Sequence, residues 1–382
     1  VGGLLLTGAE LLDPEAAEPF AASLLIEGER IAAVLREGAR LPADVEAVDL
    51  AGARLAPGFI DVHYHGGLVF GDAGDLEPAL RAACASLPES GTTAFLPTTV
   101  AWPAAELAEK VGRLAALLPD CGDGAAPLGL HLEGPWIDPG AAGAQPRGGI
   151  RPFDAPEARE VFARAEGTVR MVTFAPEVEG ADRLQAMLGE LGVVAALGHS
   201  LAQADAVDAA AARGASHVTH LYNAMGGLHH RTPGLAAEAL ADERLTCDLI
   251  CDGVHVDPRM VAVAHRAKKD QLMWISDRIE PPAEQASFGS GALHDDGTAL
   301  RLPDGRLAGS SLTLDRAIAN GQAFTGMSRL EAVAACTLRP ARLLGVERER
   351  GTLRPGARAD LVVLDPAGRV QQTWIAGRRW MP

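Results

Sequence analysis

From residue 4 to about residue 55 the chain runs in short apolar stretches, at 4–6, 23–26, 31–35 and 46–50, separated by turn residues; this pattern predicts a small β unit. Beyond Pro57 the texture changes. Apolar runs of strand length alternate with Ala-, Leu-, Glu- and Arg-rich stretches of helical composition, the alternation of a parallel α/β fold. The strand positions are 58–62, 92–97, 128–132, 169–174, 193–197, 217–220, 245–250 and 273–276, enough to close a (β/α)8 TIM-like barrel. Near the end, turns over 351–357 precede further strands at 359–364 and 370–375. Neither end has enough strands to bury a face alone, so both are expected to pair into one small discontinuous β-sandwich domain. The predicted division is 1–55 with 349–382 for that domain and 56–348 for the barrel.

Composition narrows the function classes. Hydrophobic residues make up 48% of 382 positions, which supplies a large core without staples. The five cysteines are scattered and never form CxxC, which argues against a disulfide framework and for a reducing cytoplasm. The opening apolar residues lack a basic flank and soon meet Glu10, Asp13 and Glu15, so neither a signal peptide nor a membrane span is expected. A net charge of -16 opposes sequence-independent binding to nucleic acid or anionic membrane. An anionic ligand would need a local cationic pocket.

The candidate chemistry sits at the C-terminal ends of the predicted strands, where a (β/α)8 barrel places its active site. In PGFIDVHYHGG (57–67), His63 and His65 stand two apart, so a strand would turn both imidazoles to one face, where they could share a metal ion. An isolated HxH is as readily a chance surface pair. HLEGPW (131–136) repeats the spacing with His131 and Glu133; GHS (198–200) adds His199, and THLYNAM (219–225) adds His220. Zinc suits this nitrogen and oxygen set, with iron or manganese as alternatives. Asp277, in the pair Ser276-Asp277, reads either as a helix cap or turn residue or as a proton shuttle beside an activated water. Cys247 and Cys251 read as core residues or soft ligands.

Taken in order along the whole chain, PGFIDVHYHGG, HLEGPW, GHS, THLYNAM, DGVHV (252–256), SD, LAGSSLTLDRAI (307–318) and GTLRPGARADLVVL (351–364) resemble the amidohydrolase superfamily. Within it the resemblance is to the N-acetylglucosamine-6-phosphate deacetylases. It implies a metal-dependent hydrolase that releases acetate from an N-acetylated amino-sugar phosphate. Glu133, His199 and His220 would hold one divalent ion; His63 and His65 would hold a second, bridged through Glu133. All three lysines, Lys110, Lys268 and Lys269, lie in charged, helix-like stretches, which argues against the subclasses that bridge two ions with a lysine. Asp277 would move the proton, and His255 would assist at the acetyl carbonyl. Substrate contacts are implied at Ala144, Gln145, Asn223, Ala224, Arg231, Asp252, His255, Leu307, Ala308 and Gly309. The resemblance also implies a homodimer in which Arg231 and His255 act across the interface.

Two positions depart from the family pattern. Many members carry a histidine that meets the substrate where this chain has Gln145, and a small residue where it has Arg278. Both bear on which sugar epimer is accepted: N-acetylgalactosamine 6-phosphate stands beside the gluco sugar. Arg278 could orient Asp277, lower its pKa, reach the substrate, or point away. The other readings are an amide hydrolase of the same scaffold acting on N-acyl amino acids, and a non-catalytic amidohydrolase-like scaffold.

Overall fold

The computed structural model describes residues 3–42, 44–71, 73–281, 287–288, 291–295 and 299–381. Eight strands run in parallel around the barrel: Phe59–Gly66, Thr92–Pro97, Leu130–Glu133, Val169–Phe174, Val194–Leu197, His217–Val218, Thr246–Ile250 and Leu272–Ile275. Six of them, from Leu130–Glu133 onward, hydrogen-bond in chain order. The first two pair with each other, and a bridge from Thr98 to His131 joins them to that set. On the other side the seam closes where Asp277 N–H donates to the His63 carbonyl at 2.9 Å and Arg278–Ile279 pairs with Tyr64 and Gly66.

The strand Phe59–Gly66 is buried throughout, as a strand covered on both faces must be. It continues past residue 62 through both histidines to Gly66. Conversely, the expected strand over 217–220 stops at Val218, because His220 takes a left-handed backbone, φ 35°. The intervening helices bury one stripe each. Ala155–Ala165 is typical: Asp154 accepts from Glu157 N–H at 2.9 Å to cap it, and Ala158, Val161 and Ala165 face the barrel.

The two chain ends meet in one eight-stranded sheet. Its order is Arg378–Arg379, Val370–Ile375, Leu361–Leu364, Arg54–Pro57, Leu4–Leu11, Phe20–Glu27, Arg30–Arg36, with Glu46–Asp49 beside Leu4–Leu11. The join is antiparallel pairing of Leu361–Leu364 with Arg54–Pro57. Leu6, Leu11, Leu24, Ile26, Leu361 and Val363 form its own core, separate from that of the barrel. The strand Arg54–Pro57 carries no apolar alternation of its own and was not expected; pairing on both edges makes it. Among the described residues no helix is long and apolar enough to cross a membrane.

Candidate metal centre

At the C-terminal mouth of the barrel, four imidazoles point their Nε2 atoms at one carboxylate. Strand alternation turns His63 and His65 to the same side, with Nε2 atoms 3.2 Å apart. His199 and His220 follow the neighbouring strands Val194–Leu197 and His217–Val218, with Nε2 atoms 3.1 Å apart. Glu133 lies between the pairs. Its Oε1 is 2.9 Å from both His199 and His220 Nε2 and 3.6 Å from His63 Nε2, while its Oε2 is 3.2 Å from His65 Nε2. Asp277 Oδ1 faces the first pair, at 3.5 Å from His63 and 3.3 Å from His65.

The surroundings aim these rings. His65 Nδ1 meets the Thr98 carbonyl at 3.1 Å and His199 Nδ1 the Ala141 carbonyl at 2.8 Å; since a carbonyl only accepts, each Nδ1 carries hydrogen and Nε2 is left for a ligand. The backbone N–H of His220 donates to Asp248 Oδ1, whose other oxygen lies 2.9 Å from buried His217 Nε2. His199, His220 and Asp277 all have positive φ, at 46°, 35° and 48°. Non-glycine residues rarely adopt this backbone, and it collects at functional sites, where surrounding structure holds it. Here it swings each side chain from its strand end into the mouth.

Donors from His63, His65 and Glu133, and from Glu133, His199 and His220, form two groups that each lie within 4.8 Å. These residues suit divalent ions. The nitrogen spacings of 3.1 and 3.2 Å approach the separation of about 3.3 Å expected of two nitrogens sharing a tetrahedral ion at about 2.0–2.1 Å. Charge points the same way. Burial opposes a proton on His65, but its hydrogen bonds to Asp277 and Glu133 prevail and push it up to about 10; His220 is pushed up to about 9, burial being outweighed by its hydrogen bond to Glu133. Burial would raise Glu133, yet the charges of His63 and His199 hold it well below the usual carboxylate range. Asp277 is likewise lowered, with burial overcome by His63 and by the hydrogen bond from His65. Protons therefore sit where a cation would balance the carboxylates.

A cavity opens above this cluster, lined by His65, Glu133, Gly143, Ala144, Gln145, His199, His220, Asn223, Ala224, His255, Asp277, Ile279, Arg306, Leu307 and Gly309. His255 Nδ1 is 2.6 Å from Asp252 Oδ2, and its buried Nε2 has no hydrogen-bond partner among the described residues. Asp252 itself holds His255 from behind and does not line the cavity; nor does fully buried Ala308. Arg231 stands exposed on its loop, 2.7 Å from His230 Nε2, outside the cavity lining. Gln145 is buried, accepting from Ala101 N–H at 2.7 Å and donating to Glu133 Oε2. Arg278 turns from Asp277 and pairs with Glu280 at 3.0 Å.

Neither Lys110 nor Lys268 approaches the centre: the first donates to Gly71 O, the second to Asp242 O. Cys247 and Cys251 are core residues whose thiols burial pushes up. His131 lies beneath the ligands, 2.7 Å from Thr173 Oγ1, with burial holding its pKa well down. Sequence reasoning missed Asp248 and Arg306. Nothing in the local pattern marks Asp248, which acts through a backbone N–H; Arg306 adjoins the expected substrate loop at Leu307 and had that one signal.

The model of the amidohydrolase family matches residues 54–380. The chain is 35% identical over 340 residues to N-acetylgalactosamine-6-phosphate deacetylase of Escherichia coli O157:H7, covering 88% of this chain and 90% of that one. It is 35% identical over 391 residues to N-acetylglucosamine-6-phosphate deacetylase of Homo sapiens, covering 98% and 90%. Among solved structures, a D267A mutant of N-acetyl-D-glucosamine-6-phosphate deacetylase from Mycobacterium smegmatis, in complex with N-acetyl-D-glucosamine-6-phosphate, superposes with a TM-score of 0.90 at 32% identity over 99% of both chains.

Proposed function

Because the chain belongs to the amidohydrolase family, we propose that it hydrolyses the acetamide bond of an N-acetylated hexosamine 6-phosphate in amino-sugar catabolism. N-acetyl-D-glucosamine 6-phosphate is the first substrate, giving D-glucosamine 6-phosphate and acetate. The observation that carries this reading is the convergence of Glu133, His199, His220 and Asp277 on one cavity that also exposes Asn223, Ala224, Leu307, Gly309 and His255.

Glu133, His199 and His220 would hold the first ion, zinc before iron or manganese, and His63 with His65 a second that shares Glu133. When bound, a divalent ion supplies Lewis acidity, polarising a carbonyl and making water acidic enough to act as a nucleophile near neutral pH. Asp277, kept ionised by His63 and His65, accepts the proton of the attacking water and returns it to the departing nitrogen. His255, anchored by Asp252 through Nδ1, presents Nε2 to the acetyl oxygen, where negative charge develops. Ala144, Asn223, Ala224, Leu307 and Gly309 surround the sugar.

Arg231 is the forked, permanently charged group suited to phosphate. Its exposure outside its own cavity fits a homodimer in which it reaches the substrate of the neighbouring subunit. Five buried free cysteines suit a reducing cytoplasm.

One observation favours a second reading: the Escherichia coli relative named for the galacto sugar is as similar as those named for the gluco sugar. Acetate release from the two epimers, with and without the 6-phosphate, tests both. Faster turnover of phosphorylated N-acetylglucosamine supports the first; preference for the galacto epimer supports the second. Activity only on unphosphorylated amides would sink both.

A further inference from the structure

Gln145 occupies a place from which a side chain could meet a substrate, yet both ends of its amide are already engaged. Its Oε1 accepts from Ala101 N–H at 2.7 Å, and its Nε2 donates to Glu133 Oε2. The residue is 6% exposed, so water does not compete for either bond. Amide orientation is commonly ambiguous, because oxygen and nitrogen look alike. Here a backbone N–H, which can only donate, faces one end, so the oxygen belongs there and the NH2 must face the carboxylate.

The consequence falls on Glu133. A carboxylate on an unbranched stem can turn about its last bond and present either oxygen to either histidine pair. With Oε2 tied to Gln145, Oε1 is left 2.9 Å from both His199 and His220. The same short loop fixes the neighbouring ligand: the Ala141 carbonyl receives His199 Nδ1–H at 2.8 Å. A guanidinium fastens the loop from outside, since Arg306 donates to the Gly143 carbonyl. Residues 141–145 thus grip two of the three donors of one group at once.

We infer that Gln145 is a positioning residue for the metal centre: it locks the rotation of Glu133 so that Oε1 is committed to the His199 and His220 site, and it is not a substrate contact. This rests on the reading of Glu133, His199 and His220 as metal ligands but not on the identity of the sugar. Hydrogen bonds behind metal ligands commonly govern about 10- to 100-fold in metal affinity.

The test is zinc affinity by competition with a chromophoric chelator, on full-length parent and Gln145→Met, which keeps the length and removes both hydrogen bonds. The expected result is tighter binding by the parent, about 10- to 100-fold, with KM for the acetylated sugar phosphate at saturating zinc within about twofold. Unchanged zinc affinity with a raised KM would overturn the inference and make Gln145 a substrate contact. Thermal melting of the metal-free proteins shows whether the variant folds. If it does not, Gln145→Asn is used, which stays polar but is too short to span Ala101 and Glu133; zinc affinity equal to the parent's would overturn the inference equally. A parent that binds no zinc, iron or manganese would instead remove the metal-centre reading itself.

Discussion

The backbone N–H of Asp277 donates to the carbonyl of His63 across 2.9 Å, and the same two residues face each other through their side chains, with Oδ1 and Nε2 3.5 Å apart. This hydrogen bond helps to close the barrel between its last and first strands, beside the pairing of Arg278–Ile279 with Tyr64 and Gly66, and sets the proposed proton-transfer group beside a candidate ligand. Ser310 N–H, donating to the Asp277 carbonyl at 2.8 Å, holds the other side of this kink.

Replacing Asp277 by Asn keeps the shape and most of these backbone contacts but removes the base. Turnover should fall by about 10²- to 10⁴-fold, the usual worth of a positioned acid-base group. Substrate affinity, measured by calorimetry on the inactive variant, should stay near that of the parent. Retention of most of the activity would rule Asp277 out as the shuttle.

If His63 and His65 form a second site, purified protein should carry more than one equivalent of divalent metal. The double variant His63→Ala, His65→Ala should carry one, because Glu133, His199 and His220 remain intact. Elemental analysis decides the matter, and equal metal content in both proteins would refute a second site.

Metal uptake should release protons. Without metal, His65 with a pKa of about 10 and His220 of about 9 are cationic at neutral pH, and each must lose its proton before Nε2 can ligate. Apparent affinity should therefore rise with pH and level off as these values are passed. Calorimetric titration in buffers of different ionisation enthalpy measures the release; a heat independent of buffer would contradict it.

Asp248 is the buried hinge of the His220 side. Asp248→Ala strands both His217 Nε2 and the His220 N–H in a region closed to water. Leaving a buried polar group without its partner costs about 1–3 kcal/mol, read as a lowered denaturation midpoint of the metal-free protein. A midpoint within error of the parent would show that the pair does not stabilise the fold.

Much of the centre was legible from spacing alone. His63 and His65 stand on one face because strand side chains alternate with period two, a rule that needs no knowledge of the rest of the chain. The eight barrel strands are visible as apolar runs whose ends lie within two residues of the observed ones, except at the end of the first. The strand Phe59–Gly66 continues through its histidines because their burial suits the barrel interior, and His217–Val218 stops early because His220 kinks. Neither Arg54–Pro57 nor the role of Asp248 could be read locally, since each is made by its partners rather than by its own pattern.

The order of residues alone accounts for the (β/α)8 class, the pairing of the two ends into a β domain and the chemical identity of the donors, since periodicity and side-chain chemistry are local properties. The tertiary structure decided which donors meet. His220 and Glu133 are 87 positions apart, and Ser276 and Asp61, which tie the last strand to the first, are 215 apart. It also turned Arg278 to Glu280 and aimed the Gln145 amide at Glu133, choices set by which partner lies within hydrogen-bond reach once the chain has closed. Such choices depend on distances of a few tenths of an ångström between distant segments, and no local pattern encodes them.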